Sequence, residues 1–193
     1  LILTAGHVGV GNTPPNIFFQ TGADSFISVQ AEVIYYNLGL DYTLLSVPYS
    51  PKDCVSPKFS TLSIGDPIII GGFQLRAEGR ERFFMQSSGE VASRVLRDGK
   101  ELISGQIGIG SSGSGAWHIN GTYGGVITDA STILSRSRGR EILAFVIHSG
   151  GGMIVPISTI HADIKKQLAN LINCQKCKEA EPLIKIADDN FIK

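Results

Sequence analysis

Short apolar segments separated by turn residues run through most of this 193-residue chain. Residues 1–3, 17–19 and 28–36 read as strands, and in the last of these Val29, Ala31, Val33 and Tyr35 fall on one face. Asp41 opens a further apolar strand over 42–47, and residues 67–70, 82–85, 89–96 and 102–104 continue the pattern. Asn120-Gly121 makes a tight hairpin turn between strands at 116–119 and 123–128, and residues 142–147 and 153–157 close the series. The period then changes. Ile160, Ile164, Leu168, Leu171 and Ile172 recur at helical spacing, with Ser158 as N-cap and a stop near Asn173. Many short strands, 23 glycines and one terminal helix predict an all-β barrel or sandwich.

Residues 49–59, which carry Pro51, Cys54 and Pro57, have the composition of a linker between two strand-rich halves. The expected division is 1–55 for a first β unit, 56–157 for a second, 158–173 for the helix and 174–193 for a tail or linker. Lys+Arg and Asp+Glu both number 17, so no global basic field argues for nucleic acid. Apolar runs such as Ile68-Ile69-Ile70 are too short to span a bilayer, which gives no reason to expect membrane insertion. Three cysteines, Cys54, Cys174 and Cys177, are too sparse for a disulfide framework and lean towards an intracellular, bacterial or viral origin. Cys174 and Cys177 have the spacing of half a zinc site, but without a second pair they read as ordinary thiols. Arg76, Arg80 and Arg82 among Glu78 and Glu81, and Arg136, Arg138 and Arg140 in a Ser/Gly-rich loop, read as solvated charge.

Candidate chemistry gathers at three places. Gly110-Ser111-Ser112-Gly113-Ser114-Gly115-Ala116 brackets Ser112 with glycines that leave its hydroxyl accessible. Serine is a weak nucleophile until a base stands within hydrogen-bond reach. His7 lies at a strand end in Thr4-Ala5-Gly6-His7-Val8, where functional side chains are often mounted. Asp41, at the start of its strand, supplies a carboxylate able to accept the imidazole Nδ1 proton and orient the ring. Asn120-Gly121-Thr122 fits the N-glycosylation pattern, but a tight turn makes it a poor acceptor.

The order His7, Asp41, Ser112, each in its own setting, resembles the trypsin/chymotrypsin superfamily, specifically the disulfide-poor branch of HtrA/Deg proteases, glutamyl endopeptidases and viral chymotrypsin-like proteases. The likeness extends over roughly residues 1–172. It implies two antiparallel six-stranded β-barrels with a C-terminal helix and a cleft between the barrels, His7 and Asp41 coming from the first and Ser112 from the second. His7 is then the general base, Asp41 its orienting carboxylate, and the N–H groups of Gly110 and Ser112 the oxyanion hole. Ser114 competes as nucleophile, but has Ser112 where the motif wants glycine. No metal or organic cofactor is implied, and the partner is a protein or peptide substrate.

Three departures qualify the likeness. Strands that precede the histidine in this fold have no counterpart in the six residues before His7, so the first barrel is expected to be truncated and the native chain to extend upstream. Ser111 occupies the place of the aspartate that pairs with a new N-terminus in zymogen-activated members, and Gly115 replaces a proline. For the specificity pocket, Gln106 falls near the base, and His148-Ser149-Gly150-Gly151 resembles the wall that holds Glu or Gln at P1, the position before the scissile bond. His148 lies 36 residues after Ser112, a longer separation than those families show. If the Arg-rich loop is not an insertion, Val126-Ile127-Thr128 lines the pocket and small aliphatic residues fit it. A catalytically silent binding or regulatory domain on the same fold is the alternative; a nucleic-acid role comes a distant third.

Overall fold

The computed structural model describes residues 1–11, 13–22, 25–52, 56–75, 82–96, 98–108, 110–133 and 147–173. In chain order the elements are β1 (Ile2–Ala5), α1 (Gly6–Gly9), β2 (Asn16–Gln20), β3 (Phe26–Gln30), β4 (Glu32–Asn37), β5 (Tyr42–Ser46), β6 (Pro67–Leu75), β7 (Arg82–Glu90), β8 (Glu101–Ser104), β9 (Gly115–His118), β10 (Tyr123–Ile133), β11 (Ile147–Pro156) and α2 (Ile157–Asn173). The chain is therefore all-β with a C-terminal helix, as its alternation predicts.

The second half forms a six-stranded antiparallel sheet in the order β7-β6-β9-β10-β11-β8. Its two edges meet at an antiparallel bridge between Val91 and Ile103, reinforced by Ala92 N–H donating to the Leu102 carbonyl at 2.8 Å, so the sheet curls closed. The curl gives the inward-facing side chains a common interior. Ile68, Ile70, Val91, Ile103, Ile107, Ala116, Ile127 and Ile154 fill it.

The first half contains five strands among the described residues: a three-stranded sheet in the order β1-β5-β4 and a separate ribbon of β2 with β3. Residues 28–36 do not make the single strand that their alternation suggests. Buried Ala31 breaks them into β3, which pairs with β2, and β4, which pairs with β5. The outward-to-inward rhythm continues through the corner, so side-chain polarity alone cannot reveal the change of direction. Likewise the strand expected at 89–96 ends at Glu90, and helix α2 starts at Ile157, ahead of the expected Ser158 cap. The expected strand at 142–147 lies outside the described residues except for Ile147, where β11 begins.

β10 joins the two halves. Ile127 points into the barrel while Val126 packs in a second cluster with Tyr42, Tyr123, Val155, Ile157 and Ile160, against which Leu3, Tyr35 and Ile164 rest. Two adjacent residues facing two different cores is what period-2 geometry gives a central strand buried on both faces. Ile157, Ile160 and Ile164 thus pack α2 between β10–β11 and Tyr42 of the first half, and three hydrogen bonds add to this: the Asp163 carboxylate accepts from Tyr35, Asn37 and Tyr42. Partial burial works against the ionised form of Asp163. Its hydrogen bonds from Tyr42, Asn37, Tyr35 and Gln167 outweigh that and hold the carboxyl below its ordinary range.

Glu101 on β8 is the opposite case. It is 5% exposed, its Oε2 has no hydrogen-bond partner among the described residues, and burial together with the Asp66 charge pushes its carboxyl up to about 7 from 4.5. Between those two pH values the folded state holds a proton that the unfolded chain has lost, so stability falls as pH rises through this window. Above it, the buried carboxylate, ionised with its Oε2 unpartnered among the described residues, costs on the order of 1–3 kcal/mol. Glu101→Gln is therefore expected to raise the melting temperature at pH 8 and to change it little at pH 4.5. A melting-temperature difference that is the same at both pH values contradicts this.

Candidate active site

Strand register brings His7 and Asp41 together. β1 and β5 pair antiparallel, ending with Ala5 opposite Tyr42, so Gly6 and Asp41 are the next residues to face each other. Gly6 must be a glycine: a Cβ there would stand 2.8 Å from Asp41 Oδ1 and 2.9 Å from the Asp41 carbonyl carbon. The one-turn helix α1 then rotates His7 back over this corner. Asp41 Oδ1 accepts the backbone N–H of His7 at 2.8 Å, and His7 Nδ1 lies 3.1 Å from Oδ1 and 2.9 Å from Oδ2. An ionised carboxylate only accepts hydrogen bonds, so Nδ1 carries the proton and a neutral ring keeps Nε2 as a free base. The side chain of Asp41 is 14% exposed and that of His7 49%, so the carboxylate is sheltered while the ring faces solvent.

Behind the carboxylate stands Lys100, whose Nζ lies 3.9 Å from Asp41 Oδ2 and 3.0 Å from Asp129 Oδ2. It reaches Asp41 because the turn before β8 is pressed on the first half. A Cβ at Gly99, which has φ +81°, would meet Leu40 at 2.5 Å. Sequence reasoning missed Lys100 and Asp129; a lone lysine in an Asp-Gly-Lys turn carries no signal of a contact 59 residues away.

The Ser112 loop is built as a tight coil. Gly110 and Gly113 take φ of +93° and +89°, values open mainly to glycine. Ser111 is buried: its N–H donates to the Gly108 carbonyl at 3.1 Å, and its Oγ accepts the Gly108 N–H at 3.2 Å. Ser114 N–H returns to the Ser111 carbonyl at 2.9 Å, and Gly113 N–H binds the Ile127 carbonyl of β10 at 2.7 Å. These bonds leave the N–H groups of Gly110 and Ser112 without a partner among the described residues. Ser114 faces away, its side chain filling the space that a Cβ on Gly72 of β6 would occupy. The Ser112 hydroxyl donates to the Thr128 carbonyl at 3.0 Å. Gly113 lies against Thr4 and Ala5, so the loop abuts the end of β1 just before His7.

Thr128 is buried beside Ser112, with Oγ1 directed to Asp129 Oδ2 at 3.5 Å and the Met153 carbonyl at 3.4 Å. Gln106 is exposed, and its carbonyl accepts a hydrogen bond from Ser87 Oγ at 3.1 Å. His148, Ser149, Gly150 and Gly151 lie on β11, where the backbone of His148 pairs with Thr132 and that of Gly151 with Ser104 of β8. Thr132 is four positions beyond Thr128, about 13 Å along β10 at the rise of an extended strand. Asn120 Oδ1 accepts hydrogen bonds from Thr122 N–H at 2.9 Å and Thr122 Oγ1 at 2.7 Å, so the Asn-Gly-Thr motif is folded on itself. Cys54, Cys174, Cys177, Arg76, Arg80, Arg136, Arg138 and Arg140 lie outside the described residues.

Residues 1–128 match the trypsin-like peptidase domain. No curated protein matches the chain by sequence. In fold it is similar to Rv3671c from M. tuberculosis: to a mutant of that protein in its inactive form, with 16% identity, a TM-score of 0.58, and coverage of 85% of this chain and 75% of that one. The active form of the Rv3671c protease aligns with a TM-score of 0.57 at 16% identity, covering 85% of this chain and 67% of that one.

The packing of Gly113 on β1 is open to a direct stability measurement. Gly113→Ala has to tolerate both a positive φ and a collision with Thr4, and is expected to lose roughly 2–4 kcal/mol in chemical denaturation. Gly121→Ala shares the positive φ, at +84°, but meets nothing within 4 Å, and is expected to lose only about 1 kcal/mol. Equal losses at the two positions contradict the contact with Thr4.

Proposed function

The chain belongs to the trypsin-like peptidase family and is a chymotrypsin-like serine hydrolase; from that premise we propose that it is an endopeptidase in which His7, Asp41 and Ser112 form the catalytic triad. Residues 1–55 supply the base and its carboxylate, and residues 56–157 the nucleophile. The observation that carries this reading is the His7–Asp41 pair, bonded both through the ring at 2.9 Å and through the backbone at 2.8 Å. Nε2 of His7 takes the Ser112 proton as Oγ bonds to the substrate carbonyl carbon. The resulting oxyanion is held by the N–H groups of Gly110 and Ser112. Collapse breaks the C–N bond, the same proton passes from His7 to the leaving amine, and water then releases the acyl group by the reverse sequence. Asp41 stabilises the imidazolium that exists between these transfers. Nothing in this sequence draws on a metal or an organic cofactor.

Proteins or peptides are the substrate class that the family implies. We infer a P1 Glu or Gln, received between Thr128 beside Ser112 and the segment of β11 that carries His148 and its glycines. The support is the shared strand pair: the register that pairs His148 with Thr132 belongs to the β10–β11 ladder whose Thr128 carbonyl meets Ser112. An imidazole donates to a carboxylate or amide oxygen, and the adjoining glycines leave room for the side chain.

One observation favours a second reading, a protease fold that binds without cleaving. The Ser112 hydroxyl donates to the Thr128 carbonyl, and its single proton is therefore not directed at His7. Catalytic hydrogen bonds often tighten only when substrate arrives, and on the triad reading Ser112 gives up its bond to Thr128 at that point.

Reaction with a fluorophosphonate separates these readings, because attack by an activated serine oxygen on phosphorus expels fluoride and leaves a stable ester. Labelling of the protein, lost in Ser112→Ala and reduced roughly 10⁴-fold in rate in Asp41→Asn, is expected. An unlabelled wild-type protein, alongside a control protease that reacts, supports the binding domain. Cleavage of a peptide library is expected to show Glu or Gln at P1, and a clean preference for Val or Ala removes His148 from the pocket.

A further inference from the structure

The turn that carries Asp41 is gripped from outside the site by a single carboxylate oxygen. Asp163, on α2, accepts at Oδ2 the hydroxyl of Tyr42 at 2.7 Å, the Asn37 Nδ2 amide at 2.9 Å and the hydroxyl of Tyr35 at 2.9 Å. Asn37 and Tyr42 are the last residue of β4 and the first of β5, and they pair with each other across the ladder. Leu38, Gly39, Leu40 and Asp41 form the connection between them, so Asp163 holds both ends of that connection at once.

The grip extends into the turn. The side-chain amide of Asn37 has a donor end and an acceptor end, and Asp163 fixes the donor end. The acceptor end, Oδ1, is thereby aimed at the Leu40 N–H, which it meets at 3.0 Å. Asp41 follows in the left-handed region, with φ +64°, the one non-glycine residue in that state among those described. A non-glycine residue persists there only when its surroundings over-determine it. Its neighbour Tyr42 is fully buried in the cluster beneath α2 and is tied to Asp163 by the shortest of the three bonds.

We propose that Asp163 is a positioning residue for the proposed triad, acting through Asn37 and Tyr42 to set the conformation of Asp41 and so the orientation of His7. The inference rests on the triad reading above. It assigns the C-terminal helix a part in the chemistry: the helix braces residues 121 to 128 positions earlier in sequence, on both sides of the turn. A displacement of about 1 Å at a reacting group is enough to cost roughly 10²-fold in rate.

The test is steady-state cleavage of a peptide substrate by the full chain. Asp163→Ala, and the isosteric Asp163→Asn with Tyr42→Phe in case the alanine variant fails to fold, are compared with wild type after circular dichroism shows them folded. The expected result is a fall in kcat of about 10- to 100-fold with KM unchanged within a factor of two. In an Asp41→Ala background the same substitutions are expected to cause no further fall, because the group they position is gone. Wild-type kcat in the folded variants overturns the proposal. So does a change confined to KM, and so does an equal fall in the Asp41→Ala background, which marks a merely structural role. Failure of the triad reading is recognised separately: Asp41→Ala then retains wild-type kcat.

Discussion

The Asp41 carboxylate accepts the ring and the backbone of His7 at the same time, and much of the first half exists in a form that lets it do so. Two oxygens can serve one residue twice only if the chains carrying them approach closely and Asp41 turns back on itself. The close approach is met by Gly6, which has no side chain to push Asp41 away, and the turn by a left-handed backbone at Asp41. The first condition follows from the β1–β5 register. The second runs against the preference of an aspartate; Asn37, bonded to Asp163, accepts the Leu40 N–H just before it, Tyr42, bonded to Asp163, follows it, and Lys100 Nζ lies 3.9 Å from its carboxylate.

The second half solves a different problem, holding a loop rigid while leaving it accessible. Closure of the six-stranded sheet gives β10 two buried faces, and the coil of the Ser112 loop is bonded to that strand through Gly113 and Ser114. The loop is therefore tied by backbone bonds to a core strand, while Ser112 itself is only partly buried. Contact of Gly113 with Thr4 and Ala5 couples this mount to β1, so the segments bearing the histidine and the serine abut through backbone and small side chains. Long side chains at this junction would have added rotamer freedom to the separation of the two groups.

Much of the fold was legible in the sequence because it depends on local periodicity. Alternation located most strands, the change of period located α2, and the glycines around Ser112 marked a loop that needs positive φ at Gly110 and Gly113. The split at Ala31 escaped because strand direction can change without any change in polarity. Glu101 looked like an ordinary strand residue, since alternation says which face a side chain occupies but not whether a neighbour can satisfy it. Within the site, His7, Asp41 and Ser112 carried distinctive flanking residues, whereas Lys100, Asp129 and Asp163 did not. Their contacts join elements far apart in sequence through polar side chains, and no period of 2 or 3.6 records such a pairing.

The central claim is that His7 and Ser112 act on one substrate together, and a peptidyl chloromethyl ketone tests it most directly. Addition of the serine oxygen to the ketone carbonyl holds the chloromethylene carbon beside the imidazole, where Nε2 displaces chloride and forms a permanent C–N bond. Mass mapping of the treated protein is predicted to find alkylation at His7 that is rapid in the wild type and at least roughly 10²-fold slower in Ser112→Ala, the loss expected when a tethered reaction becomes a bimolecular one. Alkylation of His7 at the same rate in both proteins, or none at His7 while other residues react, contradicts the account.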